Sequence, residues 1–285
     1  MNKETPLSRI AYAGDLKLLL AKVCATHGVG DLSTFSVIKV GYEDCNIILV
    51  TSTGKYLAKV FSKSRTPKSI SRYVSIIEKV SNAGISHPPL IRTPDGSSPY
   101  RDGDIALVVL KFIEGKTFYE LDSIPSAEEL SLTLEQAAQV NKIDFHPPDE
   151  FDSWAIPNIK VMFEKVRKIL QPDDLLLIER VLEQFSQVPL EDLPHCFVHG
   201  DFTKANVLKG SDGKVYILDF SVANWYPRIQ ELAVIAANLI DSKNDSSSLK
   251  ERCKRVVREY RVFSELTEQE EQYLYPYSLA GIAME

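Results

Sequence analysis

The stretch HGDFTKANVLKGSDGKVYILDF, residues 199–220, sets Asp201, Asn206 and Asp219 around two short apolar runs, an order that packing alone does not require. NVL and VYIL have the composition of strands, and the SDG between them is a turn signal. Together they predict a hairpin holding Asn206 and Asp219 side by side. At background residue frequencies, a His, an Asp and an Asn at fixed spacing followed by a correctly placed second Asp arise in well under about one chain in a hundred. The plain structural alternative is a β-hairpin whose turns happen to be acidic.

Working outward from this hairpin, 285 residues with 44% apolar content allow one large domain or two lobes with a full core. No window approaches the ~18 uninterrupted apolar residues of a spanning helix. The start, MNKETPLSRIAYAGD, lacks the basic and apolar regions of a signal peptide, so a cytoplasmic location is expected. Cys24, Cys45, Cys196 and Cys253 show no C-x-x-C spacing and read as reduced thiols. A formal net charge of −6 argues against a general nucleic-acid binder, and the basic run LKERCKRVVREY at 249–260 reads as a solvated helix face.

Upstream, Leu16, Leu19, Leu20 and Val23 fall at helical spacing and stop at Gly28 and Gly30. FSVIKVGYEDCNIILVTSTGKYLAKVF, broken at Gly41 and at a Ser-Thr-Gly turn, predicts three antiparallel strands. A helix follows from Pro67, with Ile70, Val74, Ile77 and Val80 on one face and Gly84 at its end. ISHPPLIRTPDG reads as loop and turn, and IALVVLKFIEG as a buried strand leading into a connection. From about Thr117 the period becomes helical: SAEELSLTLEQAAQVNKI, NIKVMFEKVRKIL and DDLLLIERVLEQF precede the hairpin, with CFVHGD as a further non-helical interruption. IQELAVIAANLI, SLKERCKRVVREYRVF and the residues from Glu268 onward follow it.

Phosphoryl transfer asks a protein for a carboxylate to take the proton of an attacking hydroxyl and for oxygen ligands to Mg²⁺ on the nucleotide phosphates. His199-x-Asp201-x-x-x-x-Asn206 has the spacing of a kinase catalytic loop, and Asp219-Phe220 stands where a metal-binding D-F-G would follow. A lysine on the third strand is then required for the phosphates. Lys59 in YLAKVF lies between apolar neighbours, where a charge is costly without an anionic partner. GYEDCN supplies only Gly41 for a nucleotide loop. After ALVVL, the backbone of Lys111 and Ile113 is the expected contact for the adenine edge.

On these residues the chain resembles the aminoglycoside phosphotransferase and choline kinase group of small-molecule kinases. The resemblance runs through GYEDCN with YLAKVF, SNAGISHPPLIRTPDG, VVLKFIEGKTF, VHGDFTKANVL and ILDFSVANWYPRIQELAVIAANL. Gly200 where protein kinases carry arginine, the long helical stretch before the catalytic loop and the lack of an A-P-E after Asp219 point the same way. GYEDCNIILVTSTGKY and DFSVAN look most like kinase-like homoserine kinases and their hydroxylysine kinase relatives. The resemblance implies an α+β, two-lobed protein-kinase-like fold: a nucleotide-binding lobe over 1–110, a hinge at 111–116 and a helical lobe over 117–285. It implies transfer of the γ-phosphate of ATP to a hydroxyl of a small metabolite, an amino alcohol or a hydroxy amino acid such as homoserine. Asp201 would be the base, Asn206 and Asp219 the Mg²⁺ ligands, and Lys59 the phosphate-steadying cation, with His199 bracing the loop. Lys204 is a further candidate for offsetting charge on the transferred phosphate.

The family's helix glutamate that pairs with the strand lysine would fall near Tyr73. Glu78, the one acid of this helix, lies five residues on and about 140° around it. Glu231 fills the slot of an Asp expected to brace the catalytic loop, and Ser221 stands where relatives have an acid or glycine. His146, Pro147, Pro148 and Trp154 lie in the insertion that shapes acceptor pockets. Two other readings stay open: a catalytically silent nucleotide-binding module acting through a protein partner, motivated by Tyr73 and the poor nucleotide loop, and an aminoglycoside phosphotransferase.

Overall fold

Residues 5–41 and 43–284 are described by the computed structural model, in which the chain divides into two compact units. One draws on the chain up to Glu78 together with Pro88–Glu114; the other consists of Lys79–His87 and the chain from Gly115 on. Tyr42 of the GYEDCN segment lies outside the described residues.

The first unit opens with helix α1, Leu16–His27. Asp15 caps it by accepting the N–H groups of Lys17 and Leu18, and Gly28 ends it in the left-handed conformation with φ 63°. Strands β1 (Leu32–Val37), β2 (Cys45–Thr51) and β3 (Gly54–Val60) then run antiparallel, as the breaks at Gly41 and at the Ser-Thr-Gly turn predict. Helix α2 covers Pro67–Asn82, with β4 (Leu90–Ile91), β5 (Tyr100–Asp102) and β6 (Ile105–Lys111) after it. The strand order is β1-β2-β3-β6-β4, and β5 pairs with β6. Cys45, Ile47 and Leu49 of β2 and Ala58 and Val60 of β3 are fully buried, and Leu19, Leu20, Val23 and Cys24 of α1 join the same core. Two of the six strands lie where a loop or no element is expected from the sequence. β4 has two residues and β5 three, too short to show a period, and pairing with the apolar β6 is what makes them strands.

The second unit begins with β7 (Gly115–Thr117) and α3 (Ala127–Asn141), which Ser126 and Glu129 start with a capping box. Helices α4 (Ile159–Val166) and α5 (Pro172–Phe185) precede β8 (His195–Val198). The predicted hairpin forms as β9 (Val207–Gly210) and β10 (Val215–Ile217), with Ile217 opposite Val207, and β7 adds a third strand along β9. At Gly115 a Cβ would lie 2.3 Å from the Lys209 carbonyl oxygen, so glycine is what lets β7 approach β9. β11 (Asn224–Pro227) pairs with β8, a partnership that the polar and aromatic NWYP does not announce. α6 (Ile229–Val234) runs on into a π-helical turn over Ile235–Leu239. α7 (Leu249–Tyr260) and α8 (Glu268–Met284) complete a mainly helical unit whose fully buried side chains include Phe118, Phe197, Phe202, Tyr260 and Tyr277. Among the described residues, no helix is long and apolar enough to cross a membrane, and the four cysteines are all free thiols.

Candidate active site

The residues singled out in the sequence fall in both units. In the second, β8 delivers the segment 199–206 and the β9–β10 hairpin returns the chain to Asp219. His199 is fully buried, its ring packed on Phe202 at 5.0 Å and edge-on to Phe220 at 4.5 Å between centroids. Its Nε2 is 2.8 Å from the Leu218 carbonyl oxygen, and its Nδ1 accepts the Asp201 N–H at 3.0 Å. Those two partners fix one neutral tautomer, protonated on Nε2. Burial lowers the His199 pKa to about 4, so the ring stays neutral and braces the loop from both ends.

Glu231, on α6, secures the same turn. Its carboxylate accepts the His199 N–H and, at 3.0 Å, the Gly200 N–H. The group is wholly buried, and desolvation lifts its pKa to about 8 against the pull of those two bonds. Glu231 thus does what its place in the sequence suggested for a longer acid. Gly200 between them has φ 84°, and a Cβ there would meet Gln230 Nε2 at 3.1 Å. Gly200→Ala is expected to cost about 1 to 2 kcal/mol from the left-handed backbone alone and, by shifting the loop, about a hundredfold in turnover. Urea denaturation and steady-state kinetics read the two effects separately.

Asp201 and Asn206 meet directly. Asn206 Nδ2 donates to Asp201 Oδ2 at 2.5 Å and to the Asp201 carbonyl oxygen at 3.2 Å. Burial, then the negative charge of Asp219, lifts the Asp201 pKa to about 7, and the charge of Asp152 adds in the same direction. Asp219 itself has φ 53°, rare for a residue with a side chain. Ser221 holds it there: both the Ser221 N–H, at 3.2 Å, and its hydroxyl, at 2.5 Å, donate to Asp219 Oδ1. Lys204 donates its N–H to Asn238 Oδ1 at 3.0 Å, and its ammonium is bound to the Asp241 carbonyl oxygen. Any service to a phosphate requires that last bond to open. Asn238 belongs to the π-helical turn, and its contact with the loop carries no local signal in the sequence.

In the first unit, Lys59 is buried on β3 and its Nζ lies 3.3 Å from Asp44 Oδ2. Its ammonium also sits 5.3 Å from the centre of the Tyr73 ring. Glu78, the helix acid weighed as a partner for Lys59, is paired with Arg92 instead. Gly41 takes φ 114° and its carbonyl oxygen accepts Arg9 Nη1 at 2.7 Å. The Lys111 N–H is committed to the Pro89 carbonyl oxygen at 2.8 Å, which leaves its own carbonyl as the adenine-facing candidate, and Ile113 lies two residues beyond the end of β6.

Comparison with known proteins gives a consistent result. A model of the phosphotransferase enzyme family matches residues 34–266. Homoserine kinase from Zymomonas mobilis subsp. mobilis is 21% identical over 249 residues, covering 85% of this chain and 75% of that protein. Homoserine kinase from Parvibaculum lavamentivorans is 23% identical over 204 residues, covering 70% of this chain and 62% of that one. The chain therefore spans about three fifths to three quarters of the length of these relatives. Among solved structures, amicoumacin kinase hAmiN in complex with AMP-PNP, Ca²⁺ and Ami aligns with a TM-score of 0.69 at 14% identity, covering 95% of this chain and 84% of that chain. At that identity the likeness is one of fold, and it is the α+β, two-lobed kinase-like fold that the motifs imply.

Proposed function

The chain belongs to the phosphotransferase enzyme family, enzymes acting on hydroxyl groups of small molecules, and from that premise we propose that it moves the γ-phosphate of ATP to an amino alcohol or a hydroxy amino acid such as homoserine. Asp201 takes the proton of the acceptor hydroxyl as its oxygen bonds to phosphorus and the bond to ADP breaks. The observation that carries this reading is the Asp201–Asn206 contact at 2.5 Å, which orients the carboxylate. Lys59 steadies the nucleotide phosphates, the backbone at Lys111 and Ile113 meets adenine, Gly41 closes the nucleotide loop, and Lys204 offsets charge on the transferred group. In this reading 1–110 is the nucleotide lobe, 111–116 the hinge and 117–285 the acceptor lobe.

The residues present suit Mg²⁺. Asn206 spends its amide hydrogens on Asp201, leaving Oδ1 to ligate, and the charge of Asp219, felt by Asp201 as a raised pKa, is one that a cation would offset. Among the described residues there is no cluster of three or more His, Cys, Asp or Glu fit to hold a metal alone. Asn206 and Asp219 would therefore hold the ion in company with nucleotide phosphates and water. When bound it would neutralise charge on those phosphates. The negative charge of Asp152 near Asp201 favours an acceptor that carries an ammonium group, as amino alcohols and amino acids do.

The test is ADP formation with ATP and Mg²⁺ across amino alcohols, hydroxy amino acids, sugars and aminoglycosides. Turnover confined to the first two classes is expected. Turnover with aminoglycosides alone would replace the acceptor, and ATP binding with no turnover on any acceptor would favour the silent module. That rival drew on the missing helix acid and on the poor nucleotide loop, and the Lys59–Asp44 pair weakens the first of these motives. The same assay carries a pH prediction. A protonated Asp201 cannot accept the acceptor's proton, so kcat/KM should fall with unit slope as pH drops through its pKa, about 7 in the metal-free protein. Raising Mg²⁺ should move that limb to lower pH, because the cation offsets Asp219.

A further inference from the structure

We infer that Asp44, on the segment leading into β2, is the positioning residue that holds Lys59 for the nucleotide in place of an acid on α2. A buried ammonium and a buried carboxylate are each costly to take out of water, and each offsets part of the other's cost when they meet. Lys59 Nζ and Asp44 Oδ2 are 3.3 Å apart, with side chains only 4% and 2% exposed. Asp44 is itself tightly fixed. Its Oδ1 accepts the Ser62 N–H at 3.0 Å and Arg65 Nε at 3.3 Å, and Arg65 Nη2 reaches Oδ2 at 3.2 Å. Arg65 is anchored in turn by Glu43 at 2.6 Å.

Helix α2 has no acid to offer: Glu78 faces Arg92, and at the position where a glutamate would be sought Tyr73 presents an aromatic face to the ammonium. The two arrangements differ in consequence. A carboxylate carried by a helix makes the lysine's geometry depend on where that helix stands. Here the lysine rides on β3 and its acid stands one residue before β2, with Asn46 opposite Lys59 and Cys45 opposite Val60. The pairing of β2 with β3 therefore brings the two side chains together without any acid from α2. This inference rests on the kinase reading of Lys59.

The experiment compares Asp44→Asn with Glu78→Gln, measuring KM for ATP, KM for the acceptor and the Kd of a fluorescent ATP analogue. Asp44→Asn should weaken nucleotide binding and raise the ATP KM by about tenfold or more while leaving the acceptor KM within about twofold. Glu78→Gln should change none of these. A purely structural role for Asp44 would move both KM values together or neither. Should Asp44→Asn alone unfold the protein, Lys59→Met in the same chain removes one of the two cations that Asp44 meets, Arg65 keeping Glu43, and should recover part of the lost urea midpoint; no recovery overturns the pairing. Wild-type protein that binds ATP as tightly as Asp44→Asn sinks this inference alone. Wild-type protein that binds no ATP sinks the kinase reading and this inference with it.

Discussion

Replacing Asp201 by Asn is expected to lower kcat by about three to four orders of magnitude, within the range that a positioned base contributes, while the fold and ATP affinity stay close to wild type. The side chain is nearly isosteric, and an amide oxygen in place of Oδ2 still accepts the Asn206 Nδ2 hydrogen bond. The His199 contact is made by the Asp201 backbone N–H, so that anchor of the loop is kept. What disappears is the capacity to take a proton. A folded variant that turns over at the wild-type rate would remove Asp201 from the mechanism, and a variant that unfolds would contradict the expectation that the loop is kept. Circular dichroism and a single-turnover assay together distinguish these results.

Glu231→Ala carries the second large effect, and it acts through stability. The carboxylate accepts the N–H groups of His199 and Gly200 in a fully buried setting, so its removal strands two backbone donors and opens a cavity. A lost buried acceptor leaves a desolvation cost of about 1 to 3 kcal/mol for each orphaned group, and a cavity adds to it. The expected loss is about 3 to 5 kcal/mol, a large part of the margin of an ordinary domain. Glu231→Gln should recover only part of it, since its amide oxygen serves one N–H and its NH₂ opposes the other. Urea midpoints at fixed pH measure both. The raised pKa sets the sign of the pH dependence: folding takes up a proton at Glu231 in the range between its ordinary value of 4.5 and about 8. Its contribution is therefore fully present below that range and is lost as pH rises through it. In Glu231→Gln this part of the pH dependence should flatten.

Much of this was legible in the sequence, and the reasons are local ones. The 3.6-residue period exposed each of the long helices, and the apolar runs on either side of Ser211-Asp212-Gly213 marked the hairpin because a turn signal sits between two short strands. Asp201, Asn206 and Asp219 fall within one stretch of chain, so the Asp201–Asn206 contact and the charge of Asp219 felt at Asp201 both come from that segment. What stayed hidden depends on pairing between distant segments. β4 and β5 exist through β6, β11 through β8, and the Asn238–Lys204 contact through a π-helical turn. Asp44 is hidden for a different reason: it lies off α2, the element on which a kinase-like lysine finds its acid. Laying Asn46 opposite Lys59 in an antiparallel hairpin brings the acidic pair Glu43-Asp44 to the same end of the sheet, and that signal was available. Lys204 shows what motif spacing leaves out. Its spacing from Asp201 suggests a phosphate ligand, and the bond of its ammonium to the Asp241 carbonyl oxygen, which must open for that service, has no signal in the motif.

The most direct test of the central claim is mass spectrometry of the acceptor after incubation with ATP, Mg²⁺ and either wild-type protein or Asp201→Asn, beginning with homoserine and a set of amino alcohols. The account predicts a phosphomonoester on the acceptor hydroxyl with wild type and almost none with the variant, while both proteins bind ATP. A phosphorylated acceptor formed equally by both would contradict the role of Asp201, and ATP bound by wild type with no acceptor phosphorylated would contradict the acceptor class proposed for this chain.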